Sequence, residues 1–313
     1  MHFWQITHHA RRHTNFSAIA QPKVLDRIAR AVKMQRRILQ RKRSKKTGAF
    51  MKLGALRWIL PACLIAGAAW ADRVAPVSVP SLSASYPHDP NSYTQGLLWH
   101  DGLLYESTGR YGHSTLSVRE LKTGRVLQTT ALDPKLFGEG LVLVGGELLQ
   151  LTWKEHQLLV YDQATLRLKR SLPYAWEGWG AAYDGRHIIV SDGSDLLRFL
   201  DPVSYKEIRR IVVHDGDQPI DLLNELEYVQ GEILANVYGS DRIARIQPTS
   251  GKVIGWLDLS HLYPEQQRVA SDAVLNGIAY DAQRQMLMVT GKYWPKLFLI
   301  PVPSRILSPI PAK

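Results

Sequence analysis

Cysteine is nearly missing. The single one in 313 residues, Cys63, excludes an internal disulfide and leaves no paired thiolates for metal or redox chemistry. Helical periodicity is scarce, and only Asp221–Leu226 and Leu259–Gln267 are expected to form short helices. His113, His156, His187, His214 and His261 are scattered, with no His-x-x-His or Glu-x-x-His spacing, so a catalytic zinc is unsupported. Asp215, Asp217 and Asp221 lie close in sequence and read first as a polar loop with helix-capping carboxylates; a hard cation such as a structural calcium is the alternative. A net positive balance is absent from most of the chain despite a formal net charge of +11. Residues 1–50 carry 13 Lys/Arg against one acid, Asp26, a balance of +12, so the remainder is 11 − 12 = −1. The run Arg41–Lys46 suits phosphate contacts, but no nucleic-acid module surrounds it and no nucleic-acid partner is expected.

The first 71 residues read as a leader. Lys52 and Arg57 precede the apolar stretch Trp58–Ala69, which ends in Ala69-Trp70-Ala71. A basic start, a short apolar segment and small residues at a cleavage site make a secretory signal peptide over 51–71. The segment is too short for an easy membrane span. Translation is therefore expected to start at Met51, with residues 1–50 a basic extension; a basic tail on an uncleaved anchor is the alternative. The mature chain, 72–313, is then cysteine-free, periplasmic or secreted, and not inserted in a membrane. Its roughly 240 residues suffice for one monomeric domain held by its core alone.

Past residue 85 short apolar runs alternate with Asp-Gly, Gly-Gly and Thr-Gly turns. Similar runs start at Gly102, Gly146, Gly185 and Gly231, spacings of 44, 39 and 46, and a fifth, shorter unit starts near Gln285. Such a period with three or four strands per unit predicts an all-β, five-bladed β-propeller, with a β-sandwich as the competing architecture. Ala75–Ser85 is expected to supply the outer strand missing from the fifth blade. At the same point of each repeat, leading into a strand, stand Tyr93-Thr94-Gln95-Gly96-Leu97, Phe137-Gly138-Glu139-Gly140-Leu141, Trp176-Glu177-Gly178-Trp179-Gly180, Leu223-Asn224-Glu225-Leu226-Glu227 and Val274-Leu275-Asn276-Gly277-Ile278. Loops of every blade converge at one mouth of a propeller, so these polar residues are expected to meet in space. Glu139 is the most telling of them. It sits between two glycines that let a ligand approach the backbone, after Phe137, an apolar neighbour able to raise a carboxyl pKa.

The motifs Y-T-Q-G-L, F-G-E-G-L, L-T-W, E-G-W-G, N-E-L-E-Y, L-N-G-I-A and T-G-K-x-W-P occur in this order at blade spacing. Together they resemble the plant-type glutaminyl cyclases, also found in bacteria, over about Tyr86 to Pro301. The resemblance implies a five-bladed propeller that converts the N-terminal glutaminyl residue of peptides or proteins to pyroglutamate and releases ammonia, with no catalytic metal. It also implies roles: Glu139 as catalytic acid and base, Gln95 as a polar contact, Trp153 and Trp179 as pocket walls, Asn224 as holder of the γ-carboxamide, and Lys292 as the basic residue at the mouth. Tyr238 stands where many members carry tryptophan, a shorter ring with an added hydroxyl. Each residue has a plainer alternative. Trp153 and Trp179 also suit a core, Asn224-Glu225 a helical cap, Lys292 a solvated charge, and Glu227 a structural ion pair. Two other functions fit a propeller: a metal-dependent lactonase, whose ligands Glu139, Asn224 and Asn276 imitate, and a non-enzymatic periplasmic peptide binder.

Overall fold

The computed structural model describes residues 74–304. The chain divides into two units, Met1–Gly67 and Ala68–Lys313, and the described residues belong to the second. The expected leader and signal peptide lie outside them.

Five antiparallel sheets follow one another along the chain. Blade 1 comprises Thr94–His100, Leu103–Thr108, Thr115–Arg119 and Val126–Ala131, from the innermost strand outwards. Blade 2 runs Gly138–Val144, Glu147–Thr152, Gln157–Asp162 and Leu168–Pro173, and blade 3 runs Ala181–Tyr183, Ile188–Ser191, Leu196–Leu200 and Glu207–Val212. Blade 4 runs Leu223–Val229, Glu232–Val237, Arg242–Ile246 and Val253–Asp258. Blade 5 runs Leu275–Asp281, Met286–Gly291 and Lys296–Pro301, and its outer strand, Ala84–Pro87, comes from the start of the described chain.

Residue pattern explains the position of each strand. Third strands such as Leu-Leu-Val-Tyr (158–161) are apolar in an unbroken run because a neighbouring blade covers each face. Outer strands alternate instead: Val126–Ala131 and Leu168–Pro173 turn every second residue to solvent. The core lies between blades as five separate clusters. Leu116, Leu141 and Leu159 join blades 1 and 2. Leu149, Val160 and Ile188 join 2 and 3; Phe199, Leu226 and Ile233 join 3 and 4; Leu234, Ile278 and Leu287 join 4 and 5. Leu97, Leu104, Met288 and Leu297 close the ring between 5 and 1.

Three expectations need correction. Leu223–Val229 is the inner strand of blade 4, so Asp221–Leu226 is not a helix and Asn224-Glu225 caps nothing; Leu222, at φ +60°, turns the chain out of helical geometry just before it. Of Leu259–Gln267 only Glu265–Gln267 is helical, a single 3₁₀ turn that follows Pro264. Ala75–Ser85 serves two blades: Val77–Ser78 pairs in parallel with Trp256-Leu257 on blade 4, and the strand that completes blade 5 begins at Ala84.

Candidate active site

The five segments expected to lead into strands are themselves the innermost strands or, in blade 3, run directly into one. In blades 1, 2, 4 and 5 the ladder to the second strand shifts register at the same place, between Thr94 and Gly96, Gly138 and Leu141, Leu223 and Leu226, and Leu275 and Ile278. Such a bulge bends the strand and re-aims the extra side chain. The residues it releases are Gln95, Glu139, Asn224 and Asn276, and Trp179 holds the corresponding place in blade 3. The adjacent glycines are needed for close approach around the axis. A Cβ on Gly140 would lie 2.7 Å from the nitrogen of Ala181 on the next blade. In blade 4 the glycine position is taken by Glu225, whose carboxylate accepts hydrogen bonds from the backbone N–H of Leu97 (3.2 Å) and of Ile278 (2.8 Å) and so ties blade 4 to blades 1 and 5.

Glu139 is 4% exposed, and its Oε1 accepts a hydrogen bond from Nε2 of Gln95 at 3.0 Å. Burial holds its pKa well above the usual carboxylate range; the charge of Lys292 pulls it back, and Glu155 and Glu177 push it further up. Lys292 is 2% exposed, and burial lowers its pKa to about 8 against the pull of Glu139 and Asp272. Its Nζ lies 4.3 Å from the ring centre of Tyr93 and 5.2 Å from that of Tyr238, so two π-faces stand in for lost hydration. The Tyr238 hydroxyl bonds to Tyr93, a contact that a tryptophan at 238 would not reproduce in this form.

An aromatic cup surrounds the pair. Phe137 packs edge-on to Tyr93 (6.1 Å between centroids) and tilted on Trp153 (5.4 Å), and Trp179 meets Tyr238 at 6.1 Å. Trp153 donates through Nε1 to Glu177 at 3.1 Å. Three buried polar atoms here have no protein partner, Nε1 of Trp179, Oδ1 of Asn224 and Oδ1 of Asn276. All seven residues singled out from sequence therefore lie on the inner strands or at the ends of second strands. Six are linked through this chain of contacts, and Asn224 joins by its place on the strand beside Gly180.

Several neighbours were not assigned a role in the cyclisation. Tyr93 and Asn276 lie in the motifs, and Asn276, at the position of Glu139 in its repeat, was considered only as an imitation of a metal ligand. Glu177 also lies in a motif, beside Trp179, whereas Glu155 and Asp272 reach the site from turns and loops, and nothing in the repeat signals them. Among the described residues no three His, Cys, Asp or Glu side chains are grouped as a metal would require. Asp215 does not gather with Asp217 and Asp221; it accepts from the N–H of Ala75 at 2.6 Å and from Nε1 of Trp256 at 2.9 Å. Glu227 accepts from the backbone N–H of Tyr228 and Tyr280 in place of the expected cation, and burial pushes its pKa up to about 8.

Known proteins resemble this chain in sequence and fold. The family model described as glutamine cyclotransferase matches residues 56–302. A glutaminyl-peptide cyclotransferase from Arabidopsis thaliana is 42% identical over 221 residues, 69% of this chain and 69% of that protein. The crystal structure of Myxococcus xanthus glutaminyl cyclase superimposes with a TM-score of 0.68 at 35% identity, covering 73% of this chain and 97% of the other. With the family match spanning most of its length, the chain belongs to the glutamine cyclotransferase family.

Proposed function

We propose that this chain is a glutaminyl-peptide cyclotransferase that closes the N-terminal glutaminyl residue of peptides and proteins to pyroglutamate and releases ammonia, with Glu139 as general acid and base. Family membership and the two relatives support the reaction class. The observation that carries the residue assignment is Glu139 itself, a buried carboxyl with one oxygen held by Gln95 and a cation opposite.

The reaction is an intramolecular aminolysis. The α-amine nitrogen attacks the carbon of the γ-carboxamide, a new C–N bond closes the five-membered ring, and the old C–N bond breaks. A peptide α-amine titrates near ~7.7–8.0, close to Lys292, and Glu139 is raised well above the usual carboxylate range. A carboxyl raised in this way is a better proton carrier near neutral pH than an ordinary one. Glu139 takes the proton that the attacking amine sheds and returns it to the departing nitrogen, which leaves as ammonia. Lys292 donates to the oxyanion; one such donor is worth ~2.7–4 kcal/mol. Oδ1 of Asn224 accepts an N–H of the carboxamide and so turns its carbon towards the amine. Trp153, Trp179 and Tyr238 fold the flexible side chain into the shape of attack. Glu155, Glu177 and Asp272 favour a cationic amino terminus at the mouth.

These steps use no cofactor, and any calcium the protein binds is assigned a structural role. With the signal peptide expected at 51–71, the enzyme is placed in the periplasm or outside the cell as a monomer. Incubating the purified protein with a short peptide bearing N-terminal Gln, with and without chelator, tests the assignment. Ammonia release with a blocked amino terminus in both samples is expected. Loss of release in chelator would move a metal-dependent reaction to the front, and no release by folded protein would leave a peptide-binding propeller.

A further inference from the structure

Asn276 is fully buried on the inner strand of blade 5, beside Gln95 on blade 1. Its Nδ2 lies 2.9 Å from the backbone oxygen of Thr94 and 3.2 Å from Oε1 of Gln95. The first contact fixes the whole chain of amides. A backbone carbonyl only accepts, so the atom of Asn276 that faces it must be the NH2. The second hydrogen of that NH2 then points to Gln95, which must answer with its oxygen. Gln95 is left with its own NH2 towards Oε1 of Glu139, at 3.0 Å. The backbones are pinned as well. Gly277 donates to Oδ1 of Asn236 at 2.9 Å, and Glu225 holds the N–H of both Leu97 and Ile278.

We propose that Asn276 is a positioning residue for the cyclisation: it commits the Gln95 amide to face Glu139 with a donor only, so that Oε1 of Glu139 is occupied and Oε2 is the oxygen that handles the substrate's proton. The proposal rests on the assignment of Glu139 as acid and base. A free glutamine is indifferent to its neighbour's protonation state, because it turns its oxygen to a carboxylic acid and its NH2 to a carboxylate. A glutamine locked by Asn276 donates to Oε1 in either state, and its bond to the carboxylate is the stronger, so it favours the ionised form. Asn276 therefore works against burial, alongside Lys292, and against the push of Glu155 and Glu177. The phenols of Tyr93 and Tyr111 also feel the charge of Glu139, Tyr111 while donating to Glu155, and both are held neutral well beyond working pH. The lock keeps Glu139 in reach of its ionised form when the amine has to be deprotonated.

The test is a titration of Glu139 by carbon NMR of carboxyl-labelled glutamate, its signal assigned by loss in Glu139→Gln, run beside the pH profile of kcat/KM. Asn276→Leu keeps the volume and removes both donors; Asn276→Ala is a second variant of the same kind. Each is expected to raise the midpoint of Glu139 by about one unit and to carry the acidic limb of kcat/KM with it, a loss of about tenfold below neutral pH. In a Gln95→Leu background there is no amide to orient, so the same substitutions should shift nothing further. An unmoved midpoint, with Glu139→Gln inactive, overturns the role of Asn276 and leaves that of Glu139 standing. A shift that persists in the Gln95→Leu background also overturns it, since Asn276 would then act without Gln95. Full turnover in Glu139→Gln would overturn the acid–base assignment and the proposal with it.

Discussion

Glu139 and Lys292 each resist the charge they need. Burial favours the neutral form of both, and each supports the other's charge. Lys292→Met removes an oxyanion donor and the one cation that pulls Glu139 down. Turnover is expected to fall by about 10²–10³-fold. Without that cation the carboxylate form is disfavoured, so the acidic limb of kcat/KM should move to higher pH; rate measurements across pH on a single Gln-peptide check both effects. Gln95, Glu139, Trp179 and Asn224 were legible in sequence because one repeat position carries them all. Glu155 and Asp272 were not, since they enter by way of loops that only the closed ring brings to the mouth. The bond from Tyr238 to Tyr93 was equally hidden, because it joins blade 4 to the entrance of blade 1.

The inner strand is the working element, and its bulge is what aims the site. Sequence reasoning placed Gln95-Gly96 and Glu139-Gly140 just ahead of the strands, where glycine beside a polar residue commonly marks a turn. Here the glycine serves close packing and the polar residue serves the channel, so the same letters mark a strand. Asp221–Leu226 failed for a related reason: its leucines are spaced as on a helix face, yet pairing with Glu232–Val237 decides the conformation. Gly140→Ala isolates the packing role. Its new Cβ would press on the backbone of Ala181, and backbone does not yield as a flexible side chain does. A loss of ~1–3 kcal/mol in denaturant unfolding is expected, with a larger drop in activity because Glu139 is the preceding residue.

At the scale of the molecule the ring must close, and blade repetition in the sequence predicted that it does. The polar lock on the seam was not foreseen. His88 follows the closing strand Ala84–Pro87, and its Nδ1 meets the oxygen of Trp294 on blade 5 at 2.6 Å while Nε2 meets Oε1 of Glu106 on blade 1 at 2.9 Å. Two acceptors require two ring protons, so His88 is an imidazolium. Burial alone would lower its pKa, but the charge and hydrogen bond of Glu106 raise it. Glu106 is fully buried; burial would raise it, yet His88 and then Arg119, at 2.8 Å, bring it down to about 2. A carboxylate lowered in the folded state adds stability above its unfolded value near ~4.3, lost as pH falls through about 2. An imidazolium raised in the folded state adds stability below ~6.5, lost as pH rises through its folded value. Both contributions are complete between about pH 4.5 and 6.5. Chemical denaturation across pH should show His88→Gln losing most in that window and converging on the wild type in alkali. An equal loss at every pH would mean that His88 acts by shape alone.

The central claim is that one buried carboxyl moves the proton in both directions. Single-turnover cyclisation of a Gln-peptide by Glu139→Gln, with the fold verified by circular dichroism, tests it most directly. Glutamine keeps the shape and the contact with Gln95 but neither takes nor returns a proton. A folded variant with nearly all turnover lost is the predicted result; cyclisation at an undiminished rate would contradict the account.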